Sequence, residues 1–362
     1  MKQKKIYEEE VEVEESEERE IETYPPDYKI TSYGIDFIAA SIVSQIQSGD
    51  IYIPSFQREF IWDISRSSMF IESLLIGLPV PGIFLSREPD TERFLVIDGQ
   101  QRLLTLKEFF EGESSKTGKP FVLKEGSVRK DLAGLSYKTL TPEFRRRLNN
   151  AILHATIVQQ MEPDDKQSAI YLMFERLNTK GVDLTQQEIR MGIYHGEFAN
   201  LLKEQNLNRN WRQIYGRPIN RRYGDLENIL RFFAFCFNGA YKKPIKKFMS
   251  DFMAENKHLN KVNSSEMIKV FEDVSETIIN LLGPDACKPE GRFISAIWDS
   301  LSVATANKLK KGPITDKKGY AQAYNNLLKN KDYLDSILAH TSDESRVAKR
   351  MKIAEEALLK VG

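Results

Sequence analysis

The spacing of apolar positions changes character near residue 195. Before that point short apolar runs are interleaved with helical stripes. Ile35, Ile38, Ala39, Ile42, Val43 and Ile46 recur at helical spacing with Gly49 as a stop, so the pattern predicts a helix in the first ordered stretch, from about Tyr33. Ile51 to Ile53 reads as extended, and Ser65 to Ile76 as a helix closed by Gly77. Ile83–Leu85 and Phe94–Ile97 read as buried strands, the second running into Asp98-Gly99 and then a helix with Leu103, Leu106 and Phe109 inward. Thr141-Pro142-Glu143 has the form of a helix start, Ile152 to Val158 alternates as a strand, and 164–177 reads as a helix. Thr185 to Glu188 has the form of a capping box. After about 197 every periodic segment is helical: 197–205, 225–237, 264–282, 293–309, 320–328 and 343–360.

These periods predict an α+β fold, with a mixed α/β domain over 24–195 and an all-helical domain over 196–362. Residues 1–23 carry ten glutamates against four basic residues and almost nothing to bury, which reads as an acidic, disordered tail. An acidic strip that shields a basic surface of the same chain or mimics nucleic acid is the other reading of that segment.

Charge then alters the picture. The 362 residues hold 52 basic and 52 acidic side chains, a net charge of zero. The sum conceals a tail at −6, a stretch over 24–195 at −2, and a stretch over 196–362 with 28 basic and 20 acidic residues, at +8. Nucleic acid is therefore not excluded as a partner. No apolar run reaches the ~18 residues that span a bilayer, and the N-terminus turns acidic before any apolar segment, so a cytoplasmic protein without membrane association is expected. Cys236 and Cys287 are too isolated for a disulfide framework or a cysteine-based zinc site, and four scattered histidines give little support to a histidine metal site.

Three stretches carry candidate chemistry. A strand that meets a helix through Asp98-Gly99-Gln100-Gln101-Arg102 presents backbone N–H groups and a helix dipole to an anion. Arg102 offers a fork for phosphate oxygens, Gln100 or Gln101 can orient a water, and Asp98 suits Mg2+, which takes carboxylates together with substrate phosphates. A tight turn with Arg102 paired to Asp98 is the plainer reading. Pro54 to Trp62 supplies Gln57 and Arg58, the latter a second phosphate ligand, and Trp62 either caps a base or fills the core. Phe174 to Gly181 ends a helix and offers Asn178 and Thr179 to a ligand, or is simple C-terminal capping.

Residues 209–223 interleave Arg209, Arg212, Arg217, Arg221 and Arg222 with Trp211, Tyr215 and Tyr223 and no acid. That composition suits phosphate contact and base stacking, and equally an inter-helix connection with solvated arginines. Gly112 to Pro120 mimics a Walker A loop but has five residues between its glycines and Pro120 after the lysine, so it is rejected.

Taken in order, these stretches resemble the N-terminal domain family of the GmrSD modification-dependent restriction endonucleases. The resemblance rests on Pro54 to Arg58 and Trp62, Ile71-Glu72-Ser73 with Gly77 to Pro81, Ile97 to Arg102, and Phe174 to Gly181 followed by Leu184 to Arg190. It implies a ParB/sulfiredoxin-like domain that binds and hydrolyses an NTP (GTP or ATP) with Mg2+, in a restriction or phage-defence system acting on DNA. Carried over by residue, it marks Asp98, Gly99, Gln100, Gln101 and Arg102, with Gln57 and Arg58 nearby. Many relatives add an HNH-type nuclease. His258 and His340 are too isolated to form one, so a stand-alone member with a separate nuclease partner is expected. Three functions are expected, in this order: an NTPase module, a nucleotide-gated binding switch of ParB type without turnover, and, last, a self-sufficient nuclease.

Overall fold

The structure is a computed structural model. It describes residues 29–53, 62–88, 91–115, 117–162, 168–177, 185–220, 222–338 and 340–361. The chain divides into two compact units, one built from described residues up to 185 with 191–193, the other from 186–190 and 194 onward.

The first unit holds one mixed sheet of five strands: β1 (Lys29–Ile38), β2 (Ile51–Tyr52), β3 (Ile83–Arg87), β4 (Phe94–Asp98) and β5 (Ile152–Glu162), in the order β1-β5-β3-β4-β2. β1 and β3 flank β5, antiparallel and parallel to it respectively. β4 runs antiparallel to β3 and parallel to β2. Its helices are α1 (Ala39–Ser48), α2 (Ile64–Leu75), α3 (Gln100–Glu111), α4 (Pro142–Asn149) and α5 (Ser168–Leu177), with α6 (Gln186–Ile193) next in the chain. One face of the sheet is dry. Leu153, Ala155, Ile157, Ile83, Leu85 and Val96 share a core with Ile42 of α1, Ile71 and Leu75 of α2, and Leu103, Leu106 and Phe109 of α3. α5 packs against β4.

The local rules of the sequence explain the starts and stops. Asp63 caps α2 by accepting from the Arg66 N–H at 2.7 Å, and Thr141 caps α4 through the Phe144 N–H with Pro142 in the first turn. Gly112 closes α3 in the left-handed region. One expectation fails. Ile35 and Phe37 belong to a strand, and the helix expected over 35–46 begins only at Ala39. Ten residues of β1 pair with β5, and a ladder of that length outweighs a helical spacing that the first few residues also happen to satisfy.

The second unit is helical: α7 (Glu197–Gln205), α8 (Arg209–Tyr215), α9 (Gly224–Phe237), α10 (Ile245–Glu255), α11 (Ser264–Leu282), α12 (Ser295–Lys311), α13 (Lys317–Leu327), α14 (Lys331–Leu338) and α15 (Glu344–Leu359). Three of these, α8, α10 and α14, are absent from the sequence expectation. The core is aromatic: Trp211 lies 4.8 Å from Trp298 and 6.0 Å from Phe271, centroid to centroid. A charged cluster is buried within it. Arg231 grips Asp299 with two bonds, Nε–Oδ1 at 2.9 Å and Nη2–Oδ2 at 2.5 Å, and Arg350 Nη2 meets the same Oδ2 at 3.2 Å. The chain is thus α+β, and no helix among the described residues is long and apolar enough to cross a membrane.

Candidate functional site: the turn from β4 to α3

β4 is the apolar run Phe94–Ile97 with Asp98 at its end. Its pairing with β3 slips at this point: Val96 faces Leu85 and Asp98 faces Phe84, so Ile97 is the extra residue of a bulge. A bulge bends a strand and re-aims the residues beyond it. Gly99 then turns the chain at φ 97° and serves as the N-cap of α3, with no side chain to satisfy the first-turn N–H groups. Any other residue would be strained here, and a Cβ would stand 2.5 Å from Ile83 Cγ2 and 3.3 Å from Arg102 Nη2. Glycine therefore lets the Arg102 guanidinium lie back over the turn.

Arg102 Nη2 donates to Asp98 Oδ2 at 2.7 Å, a pair spanning one helical turn. The side chain of Arg102 is 13% exposed and that of Asp98 39%, so the pair lies at the surface with the carboxylate outward. The two glutamines part company. Gln101 Oε1 accepts from the Trp62 N–H at 3.2 Å. Gln100 Oε1 is buried without a hydrogen-bond partner among the described residues. A buried acceptor left unsatisfied is costly and marks a position that a donor such as water would satisfy. Of the two, Gln100 has its acceptor to spare, whereas Gln101 fixes the neighbouring segment.

Trp62 packs on the core edge, 5.8 Å from Phe70 and under Arg66, so it fills space and does not stand out to cap a base. Through Gln101 it ties the end of the 54–62 stretch to the Asp98–Arg102 turn. Gln57, Arg58, Asn178, Thr179 and Arg221 lie outside the described residues.

For Mg2+ the fit is partial. Among the described residues Asp98 is a carboxylate with Oδ1 uncommitted, and Gln100 Oε1 is a neutral oxygen on the next turn residue but one. A hard cation that keeps waters and takes one carboxylate plus substrate oxygens asks for no more than that.

The basic stretch over 209–223 is placed differently from its composition. Trp211 and Tyr215 are buried in the core of the helical unit, so they present no face to a base. Arg212 is drawn inward, with Nη1 2.8 Å from both Asn206 Oδ1 and the fully buried Asp225 Oδ2, and Nη2 on the Arg217 carbonyl. The acid that neutralises it sits just past the acid-free run, two residues after Tyr223. Arg222 faces Glu188 at 3.3 Å with about half its side chain exposed, and Arg217 is exposed. Arg190, from the Leu184 to Arg190 stretch, is also structural: it is buried, donating to Gln187 at 2.8 Å and to Ser250 at 3.2 Å.

No curated protein and no solved structure matches the chain. A family model does match, described as the GmrSD restriction endonuclease N-terminal domain, over residues 39–195. The match takes in the strand, the bulge, the glycine turn and the helix start just described. Residues 39–195 of this chain are thus similar to the GmrSD restriction endonuclease N-terminal domain.

Proposed function

We propose that the β4–α3 turn is the phosphate site of an NTP-binding and NTP-hydrolysing module, working in a DNA restriction or phage-defence system. The observation that supports this most is the turn itself. A left-handed glycine at a helix N-terminus removes the capping side chain and puts a guanidinium beside the donors that an anion would use. In this reading Arg102 neutralises phosphate charge, Gln100 orients the attacking water, and Asp98 helps hold Mg2+, which would supply charge neutralisation on the phosphates when bound. The exposed arginines of the basic helical unit, Arg217 among them, contact DNA.

The test is phosphate release from ATP and GTP by the pure protein and by Asp98→Ala and Arg102→Ala. Release by wild type that drops at least tenfold in both variants is expected; identical release from all three would remove the assignment. Affinity for duplex DNA should fall as salt rises, with a slope set by the phosphates neutralised.

A second reading, a nucleotide-gated switch without turnover, draws on the Asp98–Arg102 bond. The Arg102 Nη2–Asp98 Oδ2 bond must open before those two atoms can meet phosphate or metal, which suits a site whose occupancy is the signal. Calorimetric nucleotide binding with no phosphate released over hours would select it.

A further inference from the structure

The sheet has a second polar group on the face away from the main core, at the same end as the β4–α3 turn. His154 of β5 faces Asp36 of β1 directly across the ladder, and His154 Nδ1 lies 2.8 Å from Asp36 Oδ1. Both side chains are more than half exposed, at 59% and 65%. The ring rests on a glycine: a Cβ at Gly34 would come within 2.7 Å of His154 Cε1 and 3.2 Å of Nε2. Glycine inside a strand weakens it, so its presence here has a packing meaning, and what it admits is this imidazole.

The register relates this pair to the Asp98–Arg102 turn. Asp98 faces Phe84, Phe84 faces Thr156, and Thr156 faces Gly34, so these four share one face of the sheet in a single row. His154 and Asp36 stand two residues along from Thr156 and Gly34, and so on that same face. The opposite face is the buried core. Phe84 and Thr156 are half-buried and form the floor between the two polar ends. Two strand spacings across and two residues along put the backbones of Asp98 and His154 about 12 Å apart.

We propose that His154, held by Asp36, accepts a hydrogen bond from the ribose hydroxyls of a nucleotide whose phosphates sit on Arg102. This rests on the phosphate site proposed above and adds its sugar end. The polarity selects the ligand group. In the tautomer that donates its Nδ1–H to Asp36 Oδ1, Nε2 is left as an acceptor, so it wants a donor. The adjacent Asp36 carboxylate repels a phosphate and tolerates a hydroxyl. A separation of about 12 Å between backbones is of the order of the stretch from terminal phosphate to sugar in an extended nucleoside triphosphate.

The experiment is titration calorimetry of the full chain with ATP, GTP and their 2′,3′-dideoxy forms. Wild type should prefer the hydroxylated nucleotide by about fivefold, the worth of one net neutral hydrogen bond. In His154→Ala that ratio falls to about one while dideoxy affinity stays unchanged. In His154→Gln, which keeps an acceptor at similar reach, part of the ratio returns. Arg102→Ala weakens both forms alike and leaves the ratio intact. Wild type that binds nucleotide without discriminating, or His154→Ala that discriminates as wild type does, would overturn the sugar assignment and leave the phosphate site standing. Wild type that binds no nucleotide would overturn both.

Discussion

Gly99 and Gly112 bound the same helix, both in the left-handed region, at φ 97° and 84°. They differ in surroundings, and this makes them a matched pair for testing what Gly99 is for. Alanine at either site brings the strain of a left-handed residue, about 1–2 kcal/mol. At Gly112 nothing lies within 4 Å of the added Cβ, so the cost stops there. At Gly99 the new methyl meets Ile83 Cγ2 at 2.5 Å and Ile83 Cβ at 3.0 Å. Ile83 is fully buried in β3 between β4 and β5 and has nowhere to retreat. Overpacking of that kind adds about 1–3 kcal/mol. Gly99→Ala should therefore destabilise the α/β unit by about 2–5 kcal/mol, against about 1–2 for Gly112→Ala. Urea unfolding monitored by circular dichroism measures both, with the two units treated as separate transitions. Equal losses in the two variants would refute the close-packing argument and leave Gly99 as an ordinary turn glycine.

Asp299→Ala leaves Arg231 and Arg350 facing each other in the core without their shared acid, and should cost the helical unit about 3–5 kcal/mol, whereas Arg350→Met leaves a balanced two-bond pair and should cost far less; equal losses in urea unfolding would contradict the bookkeeping of charge. Arg212→Ala should unfold the helical unit at lower denaturant because Asp225 is then buried without its cation, while Arg217→Ala should spare stability and weaken DNA binding, read by fluorescence anisotropy. Burial pushes the Tyr320 hydroxyl and the Cys236 thiol each up to about 12, from 10.0 and 9.0. Both acids are raised in the folded state, so their contribution is intact below pH 9 and is lost as pH climbs from 9 to 12; the urea midpoint of the helical unit should fall across that window, and a midpoint unchanged at pH 11 would contradict it.

The features legible in the sequence were local ones. The apolar run into Asp98-Gly99 announced a strand, a turn and a helix because all three signals lie within a dozen residues. Thr141-Pro142 marked α4 for the same reason. β1 was misread because Ile35, Ile38 and Ile42 satisfy a helical period, and the ladder that decides the matter lies 118 residues away, at His154. The same distance hid the His154–Asp36 pair: each residue alone is an unremarked polar position on a strand. Arg231, Asp299 and Arg350 are separated by 68 and 51 residues, so no pattern could join them. In the basic stretch, composition alone left two readings open, since the partner acid Asp225, which turns Arg212 inward, falls just outside the acid-free run.

The two ends of the sheet are unequal. β2 closes one side with two residues, while β1 borders the other with ten, most of them exposed on both faces. A long outer strand is a template for another backbone, and inward or outward charges are the usual guard against it. Asp36 is such a charge, two residues from the end of an edge strand that also exposes Ile30, Tyr33 and Ile38. The residue bonded to His154 thus also puts a charge on this edge, where joining to another strand would have to bury it. Replacing Asp36 with valine would remove both restraints at once, so self-association, visible by light scattering, is the expected companion of any change in ligand affinity.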